Sequence, residues 1–224
     1  MINAVMEDLA SRQLNMSDMD DIMALIKRMN CGVLQSDIDM SDRPQERIIE
    51  GLIAEEGISL GIFSRDQLIA YSTLGYAPVA APATVFFGLS PRVDQRVAAL
   101  VSCVVDAEFQ DVGLHTYFIR QRQRLAVELG YTHICGLTSV YGVSSWSSLL
   151  EQDMAIAGLK RTPKSGRYQY FLFGDLHSSF ESEDGQIVYV GIDNFDMQIN
   201  VLEHGFLAVK RVDIGDKMVL RFER

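Results

Sequence analysis

The sequence contains little cysteine, few basic residues and no long apolar run, and each shortage excludes a class of protein. Cys31, Cys103 and Cys135 form neither a C-x-x-C pair nor an even set, so they predict buried free thiols and no disulfide framework. No apolar run approaches the roughly 18 residues that a membrane span requires, and the first residues lack a basic leader followed by an apolar core. We therefore expect a cytoplasmic protein that makes no membrane contact.

Acidic residues outnumber basic ones, with 30 Asp and Glu against 20 Lys and Arg, which gives a formal net charge of −10. Nucleic acids are bound by clustered basic surfaces, so this balance disfavours a nucleic-acid partner and suits a cationic substrate better. His133 and His177 have no partners at metal-ligand spacing, so we expect no metal site. With 48% hydrophobic and 22% charged residues, the 224-residue chain is long enough for one large domain or one domain with an appendage.

The first hundred residues change hydrophobic period in the order strand, helix, helix, strand, strand, irregular segment, strand. Three prolines fall within 77–96, which predicts an irregular excursion with at most a short strand at 85–87. The run 97–106 is apolar on both faces, which is typical of a strand in the middle of a sheet. The other expected elements are a strand at 12–14, helices starting near Ser17 and Ser41, and an antiparallel hairpin of 58–63 with 67–76.

The second half of the chain returns to a helical period at Leu114. Leu114, Phe118, Leu125 and Leu129 predict one buried helical face, with Gly130 as the C-terminal cap. The remaining expected elements are a strand at 132–138, a helix at 145–157 that Gly158 ends, and a strand at 168–173.

Residues 174–224 form a C-terminal extension with the pattern strand, helix, strand, strand. Its Asn194 and Gly205 echo the places of Ser147 and Gly158 in the preceding unit. Two interpretations stay open: a partial duplication, or the likeness that any strand-helix-Gly-strand unit shows. The extension would pack either as an extra sheet layer or against a second subunit, which leaves a homodimer open. Its expected elements are strands at 186–192, 206–211 and 217–222 and a helix at 193–204.

The short turn between the strand at 97–106 and the helix from Leu114 is the candidate functional site in the sequence. A strand that enters a helix through a tight turn exposes unpaired N–H groups, which bind anions together with the positive end of the helix dipole. Gly113 removes the side chain that would keep a phosphate off the backbone, and Thr116 adds a hydroxyl donor. The turn is therefore predicted to bind an anionic group.

This turn resembles the signature Q/R-x-x-G-x-G/A of the GNAT superfamily of acyl-CoA-dependent acetyltransferases. The expected order of elements from about residue 11 to residue 173 is also the GNAT order. The resemblance implies an α/β (α+β) fold with a mixed, largely antiparallel central sheet flanked by helices and a C-terminal β-α-β-β extension. The implied domains are a GNAT-like domain at 1–173 and the extension at 174–224. The signature residues here are Gln110, Asp111, Val112, Gly113, Leu114 and His115.

By this resemblance acetyl-CoA is the cosubstrate: main-chain amides of the turn would bind its pyrophosphate, and the preceding strand would lie along the pantetheine arm. The family splays the strands at 101–105 and 132–137, which opens a slot where a primary amine of a small molecule or peptide attacks the thioester. The implied cofactor-binding residues are Cys103, Val104, Val105, Gln110, Asp111, Val112, Gly113, Leu114, His115 and Thr116.

The sequence departs from the family at several positions. His115 replaces a small residue, and it either crowds the anion pocket or offers an imidazole N–H to a phosphate. Met154 stands where the family often has a Tyr that protonates the thiolate, and Ser147 replaces the usual Asn. Tyr141 and Glu108, the nearest phenol and carboxylate, are the candidate catalytic residues, each with a structural role as the alternative.

Two groups of basic residues are near the predicted slot. Arg120, Arg122 and Arg124 lie two apart on a helix and point to different sides, which favours a solvated face with buried stems. The second group is the candidate for the nucleotide 3′-phosphate of CoA and consists of Lys160, Arg161, Lys164 and Arg167.

Two functions fit these features. The first is an N-acetyltransferase that moves an acetyl group from acetyl-CoA to a primary amine. The second is a catalytically impaired CoA-binding or regulatory module, which the residues Met154 and Ser147 favour. Fold-level likeness indicates the cofactor better than the acceptor, and segment 77–96 is placed to act as a lid on the acceptor side.

Overall fold

The computed structural model describes residues 9–29, 44–88, 96–162, 165–178, 180 and 185–224. The strands are β1 (Leu9–Gln13), β2 (Gly57–Ser64), β3 (Gln67–Gly75), β4 (Val97–Val105), β5 (His133–Ser139), β6 (Ala155–Arg161), β7 (Tyr168–Asp175), β8 (Ile187–Gly191), β9 (Leu207–Ile214) and β10 (Lys217–Glu223). The α-helices are α1 (Met19–Met29), α2 (Gln45–Ala54), α3 (Ala77–Phe86), α4 (Leu114–Glu128), α5 (Val143–Leu150) and α6 (Phe195–Glu203).

The ten strands form one open sheet in the order β1-β2-β3-β4-β5-β7-β6-β9-β10-β8. Among the strand pairs of the described chain, β4 and β5 run parallel and the others run antiparallel. The predicted class, a mixed and largely antiparallel sheet flanked by helices with a β-α-β-β extension, is confirmed. Cys31 and Ser41, which figured in the sequence predictions, lie outside the described residues.

The sheet separates two apolar cores, because successive side chains of a strand point to opposite faces. Ala98 and Leu100 of β4 belong to the core beneath α4 and α5. Ala99 and Val101 belong to the core beneath α1, α2 and α3. The first six residues of β4 are buried, as expected for a strand in the middle of a sheet.

The proline-rich segment was predicted wrongly as irregular, since 77–86 forms α3. Pro78 lies in the first turn, where a missing N–H costs nothing, but Pro82 lies inside the helix. Ala80 and Ala83 are each only 2% exposed and pack against the sheet, so tertiary burial outweighs the lost hydrogen bond at Pro82. The rest of the proline-rich segment, 89–95, lies outside the described residues.

The helix predicted at 145–157 is shorter and starts earlier, since α5 ends at Leu150. The chain turns at Asp153, whose φ of 57° is left-handed, and the amide of Met154 donates to the carbonyl of Leu149 at 3.2 Å. Gly158 therefore lies inside β6 and does not end the helix. A Cβ at Gly158 would lie 2.5 Å from Cδ1 of Phe87, so this glycine permits a close approach of β6 to the end of α3.

The buried face of α4 also differs from the prediction. Arg122 is 2% exposed and continues the stripe of Phe118 and Ala126, which are four residues to either side. Leu129, which was predicted on this face, is 38% exposed. Arg122 is thus not part of a solvated arginine face, whereas Arg120 and Arg124 are exposed as predicted.

The C-terminal extension continues the central sheet and does not form an extra layer, because β9 pairs with β6 through Ile156 and Ala208. The unit β8-α6-β9-β10 has the same order of elements along the chain as β5-α5-β6-β7. In both units the last strand lies between the other two, but the strand order across the sheet is reversed: β5-β7-β6 is followed by β9-β10-β8. Both helices end alike: Gly205 has a φ of 83°, and the amide of Phe206 donates to the carbonyl of Val201 at 3.3 Å. Gly205 therefore corresponds to Asp153 and not to Gly158. The domain boundary after 173 stays a prediction.

No helix in the described parts of the chain has the length and apolar character needed to cross a membrane.

Candidate active site

The turn between β4 and α4 leaves its backbone open. Gly113 is the N-terminal cap of α4 with a φ of 88°, and a Cβ built there would meet no heavy atom within 4 Å. Asp111 is also left-handed, with a φ of 62°, which Asp tolerates better than most residues. The side chain of Gln110 folds back, and its Nε2 donates to the carbonyl of Val105 at 3.3 Å. The turn is therefore not filled by its own side chains.

The amides at the start of α4 are unpaired. The first amide with a helical partner is that of Tyr117, which donates to the carbonyl of Gly113 at 2.9 Å. Within the described residues, the amides of 111–116 meet no acceptor at hydrogen-bond distance, and no side chain caps the helix. The helix dipole adds positive potential at the same end of α4. Such an arrangement suits an anion such as a phosphate group, and its occupancy by one stays a prediction.

A slot opens where β4 and β5 separate. The two strands pair from Val97 with His133 to Leu100 with Gly136, and no pair follows in the described chain. Beyond that point 101–105 of β4 and 137–139 of β5 diverge. The predicted splay is therefore present on β4, but on β5 it begins at Leu137, because 133–136 are still paired.

A β-bulge in β4 lies at the point where the slot begins. Thr73 of β3 pairs with Ser102 and Leu74 pairs with Leu100, so Val101 has no partner in β3. Such an extra residue bends the strand and increases its twist. The bulge thus coincides with the point at which β4 stops pairing with β5.

Two adjoining clefts follow the slot. The first has a volume of about 400 Å³ and extends over the turn and the first turns of α4 and α5. The second has about 310 Å³ and reaches the point where β4 and β5 separate. They share Cys103, His115 and Ser145, so they form one groove of a size that suits a small-molecule ligand.

Most of the predicted cofactor-binding residues line this groove, and their binding role stays a prediction. Val112 is half-buried and packs instead in a small core with Leu114 and Phe118. The predicted residues that line the groove are Cys103, Val104, Val105, Gln110, Asp111, Gly113, Leu114, His115 and Thr116.

Burial changes the titration of two groups in the groove. Burial and, to a smaller extent, the nearby positive charge of Arg122 together lower the pKa of His115 to about 4. The imidazole is therefore neutral at pH 7 and offers one N–H donor, not a positive charge. Burial raises the pKa of the Cys103 thiol, so Cys103 is not an activated nucleophile. Burial also raises the pKa of Cys135 to about 12, as expected of a buried free thiol.

The two candidate catalytic residues do not line the groove. Tyr141 is 73% exposed, and its backbone amide donates to the hydroxyl of Ser139 at 3.3 Å. Glu108 is exposed in a short helical turn that the carboxylate of Asp106 caps. The structure does not bring either side chain to the slot, and their catalytic role stays a prediction.

The shorter α5 changes which residue stands at the place of the usual tyrosine. Asp153 occupies the left-handed position after the helix, and four residues before it is Leu149, which lines the second cleft. Met154 is 1% exposed and belongs to the core. Ser147 is 7% exposed, and its hydroxyl accepts a hydrogen bond from Arg211 of the extension at 3.4 Å. Met154, the residue predicted at this place, thus lies beyond the end of α5, and neither Met154 nor Leu149 can donate a proton.

The sequence interpretation missed groove residues on two helices, α5 and α4. Ser145 lines both clefts, and Ser144 and Ser148 line the first, so the serine-rich start of α5 faces the groove. Arg122 lines the second cleft, and its signal was its place in the apolar stripe of α4. Lys160, Arg161 and Arg167, by contrast, are exposed near the β6-β7 turn and line neither cleft. Lys164 lies outside the described residues.

No metal centre accompanies the groove in the part of the chain that the structure describes, since no group of three or more His, Cys, Asp or Glu side chains is placed to hold an ion.

Comparison with known proteins identifies the fold. No protein-family model and no curated protein sequence matches the chain. Solved structures match: NAA60 of Arabidopsis thaliana in complex with acetyl-CoA has a TM-score of 0.59 at 9% identity, over 76% of this chain and 99% of that one. Arylalkylamine N-acetyltransferase 2 of Aedes aegypti has a TM-score of 0.57 at 11% identity, over 76% and 100%. A GNAT-family acetyltransferase of Streptococcus pneumoniae has a TM-score of 0.53 at 11% identity, over 75% and 98%.

These similarities, with the parallel β4-β5 pair and the open turn before α4, define the class of the protein. The chain has the fold of the GNAT superfamily, as the resemblance of the turn predicted. The neighbours are matched over nearly their whole length, but about a quarter of this chain has no counterpart in them.

Proposed function

We propose that this protein is an acyl-CoA-dependent N-acetyltransferase that transfers an acetyl group from acetyl-CoA to a primary amine. The observation that supports it most is the open turn at Gly113, where unpaired amides lie at one end of a groove formed by two diverging strands. A diphosphate needs several N–H donors without crowding side chains, and this turn provides them.

The groove would hold acetyl-CoA along its length. The amides of 111–116 would bind the pyrophosphate, with the hydroxyl of Thr116 and the neutral imidazole of His115 as further donors. The pantetheine arm would lie along 103–105, where β4 no longer pairs with β5, so that the edge of β4 facing β5 could bind the amides of the arm. The thioester would then lie near Leu100 and Ser102, where the slot ends.

The reaction would depend mainly on positioning. A neutral amine that is held against the thioester carbonyl attacks without a covalent enzyme intermediate, and orientation alone lowers the barrier substantially. Since neither Tyr141 nor Glu108 lines the groove, water would remove the proton from the amine. A primary amine that is a cation in solution suits the net charge of −10. One structural neighbour is named for arylalkylamines, which makes that class a first acceptor to test.

Calorimetric titration of the purified chain with acetyl-CoA tests the first half of the proposal. We expect saturable binding with one site per chain. The second half is tested by measuring the release of CoA in the presence of arylalkylamines, polyamines or peptides that carry a free N-terminus. The released CoA is quantified by chromatography, because a thiol reagent would also react with the protein's own thiols. Binding without CoA release from any amine would instead support a CoA-binding module without turnover. No binding at all would contradict both.

A further inference from the structure

The groove contains a buried cation that no carboxylate among the described residues neutralises. Arg122 is 2% exposed, and among the described residues its hydrogen-bond acceptors are all backbone carbonyls. Its Nε donates to the carbonyl of Phe118 at 3.2 Å, and its Nη1 donates to the carbonyls of Thr73 and Ser102 at 3.3 Å each. No ion pair involving Arg122 exists in the described chain.

Such a residue is costly for stability. Removing a guanidinium from water is unfavourable, and carbonyl oxygens compensate for only part of the loss. Burial lowers the pKa of Arg122, but an arginine stays protonated at neutral pH. The neighbours on its stripe, Phe118 and Ala126, show that an apolar side chain would suit the same face of α4. A charge at this position therefore calls for an explanation other than packing.

The position of Arg122 along the groove points to its role. The open turn lies before Leu114, and Arg122 follows eight residues later, about 12 Å along the helix axis. It lines the second cleft together with Leu100 and Gly136, the last pair before the strands separate. Its Nη1 also bonds the carbonyl of Ser102 at the bulge. The guanidinium is therefore at the end of the groove that is far from the pyrophosphate turn.

We propose that Arg122 stabilises the thiolate that leaves from the acyl donor, and this inference rests on the proposed function. The amine nitrogen forms a bond to the thioester carbonyl carbon. The C–S bond then breaks, and its electron pair stays on the sulfur of CoA. The proton lost by the nitrogen passes to water, so the sulfur carries a full negative charge until it is protonated. A fixed cation beside that sulfur lowers the barrier to its departure, in a site where no phenol lines the groove.

The field of Arg122 already acts on other groups of the groove. Its positive charge opposes the effect of burial on the Cys103 thiol, for which burial raises the pKa and the cation lowers it. The same charge contributes to the lowered pKa of His115. Both residues line both clefts, so the cation influences ionisation along the groove that the CoA thiol would enter.

The pKa of the CoA thiol in its complex with the protein tests this inference. Thiolate absorbance in the ultraviolet is titrated with pH for free CoA and for CoA bound to the wild-type chain. Subtracting the same titration with desulfo-CoA removes the contribution of protein thiols. We expect the pKa of the bound thiol to be about one to three pH units below that of free CoA.

Three variants distinguish the effect of the positive charge of Arg122 on the CoA thiol pKa from the effect of its side-chain shape. Arg122→Lys keeps a cation and is expected to keep most of the shift, whereas Arg122→Met is expected to lose it. Arg124→Met, a change of an exposed arginine on the same helix, is expected to leave the shift unchanged. For turnover, Arg122→Met should lower kcat by about 100-fold or more with a smaller change in KM.

If CoA bound to the wild-type chain has an unshifted or raised thiol pKa, the inference is overturned without any variant, and the proposed function stays intact. Absence of CoA binding to the wild type would overturn both. An equal shift of the CoA thiol pKa in the wild type and in Arg122→Met would also overturn the inference. Arg122 would then only stabilise the bulge in β4 through its hydrogen bond to Ser102.

Discussion

The hydroxyl of Tyr170 in β7 donates a hydrogen bond of 2.8 Å to Oε1 of Gln198 in α6. Both side chains are fully buried, and Nε2 of Gln198 donates to the carbonyl of Gly191 at 2.8 Å. Burial raises the pKa of Tyr170 to about 12, so its hydroxyl keeps its proton as the donor. Together these bonds connect the GNAT-like part of the chain with the helix and the edge strand of the extension.

Replacing Gln198 should therefore destabilise the whole chain. Gln198→Ala leaves the buried hydroxyl of Tyr170 without its acceptor and removes one of two donors to the carbonyl of Gly191, and we expect a loss of about 2–3 kcal/mol in the free energy of unfolding. Tyr170→Phe should cost about 1 kcal/mol. Urea unfolding of both single variants and of the double variant gives the coupling energy. If the loss in the double variant equals the sum of the two single losses, the hydrogen bond between Tyr170 and Gln198 contributes no coupling energy between β7 and α6.

A carboxylate at Gly113 should abolish acetyl-CoA binding. Gly113→Asp places a negative charge where the diphosphate would lie, and we expect affinity to fall by at least about 100-fold. Gly215→Asp is the matched control, because Gly215 also has a positive φ of 59° and open space around it but lies in the β9-β10 turn. Calorimetry with acetyl-CoA compares the two. Equal affinity in both variants would place the anion site elsewhere.

A methyl group at Gly158 should destabilise the fold. Its Cβ would lie 2.5 Å from Cδ1 of Phe87, whose ring stacks on Phe171 with centroids 5.2 Å apart and cannot easily move. We expect Gly158→Ala to lower the free energy of unfolding by about 1–3 kcal/mol. Gly136→Ala is the control in another buried strand, because the nearest atom to its Cβ would be Cβ of Leu100 at 3.5 Å. Thermal unfolding should show a lower Tm for the first variant and little change for the second.

Protonation of His115 should weaken the fold in mild acid. Burial lowers its pKa to about 4 from 6.5, so between these values the unfolded chain binds a proton that the folded chain does not. Stability is therefore retained above pH 6.5 and lost as the pH falls towards 4, with about 2 kcal/mol lost by pH 5. Urea unfolding at pH 7.5 and pH 5 should show a larger loss for the wild type than for His115→Gln. A loss of the same size in the variant would mean that other groups cause the acid sensitivity.

Local pattern was a good guide where one cause dominated. The alternation and apolar runs of 58–63, 67–76, 97–106 and 132–138 predicted strands that the structure contains with bounds differing by one residue at most, because burial on a pleated sheet requires that spacing. The bare turn at Gly113 was readable because only glycine suits a left-handed cap that must stay open. The prediction failed at Pro82 and Gly158, where a partner distant in sequence decides the conformation. The hydrogen-bond partners of Arg122 were also beyond local pattern, since its acceptors include carbonyls of β3 and β4, although its place in the apolar stripe of α4 was a local sign of its burial.

The sequence by itself predicted the class of fold, the open turn before α4 and the order of the elements except for the helix at 77–86, because spacing, glycine geometry and hydrophobic period act over a few residues. The tertiary structure alone decided that β4 and β5 part after Leu100 and Gly136, that Arg122 faces the resulting groove, and that the extension prolongs the sheet at β6. The physical reason is that these features depend on strand pairing and burial between segments far apart in the chain. The free energy of such a contact depends on both segments, so neither segment alone determines it.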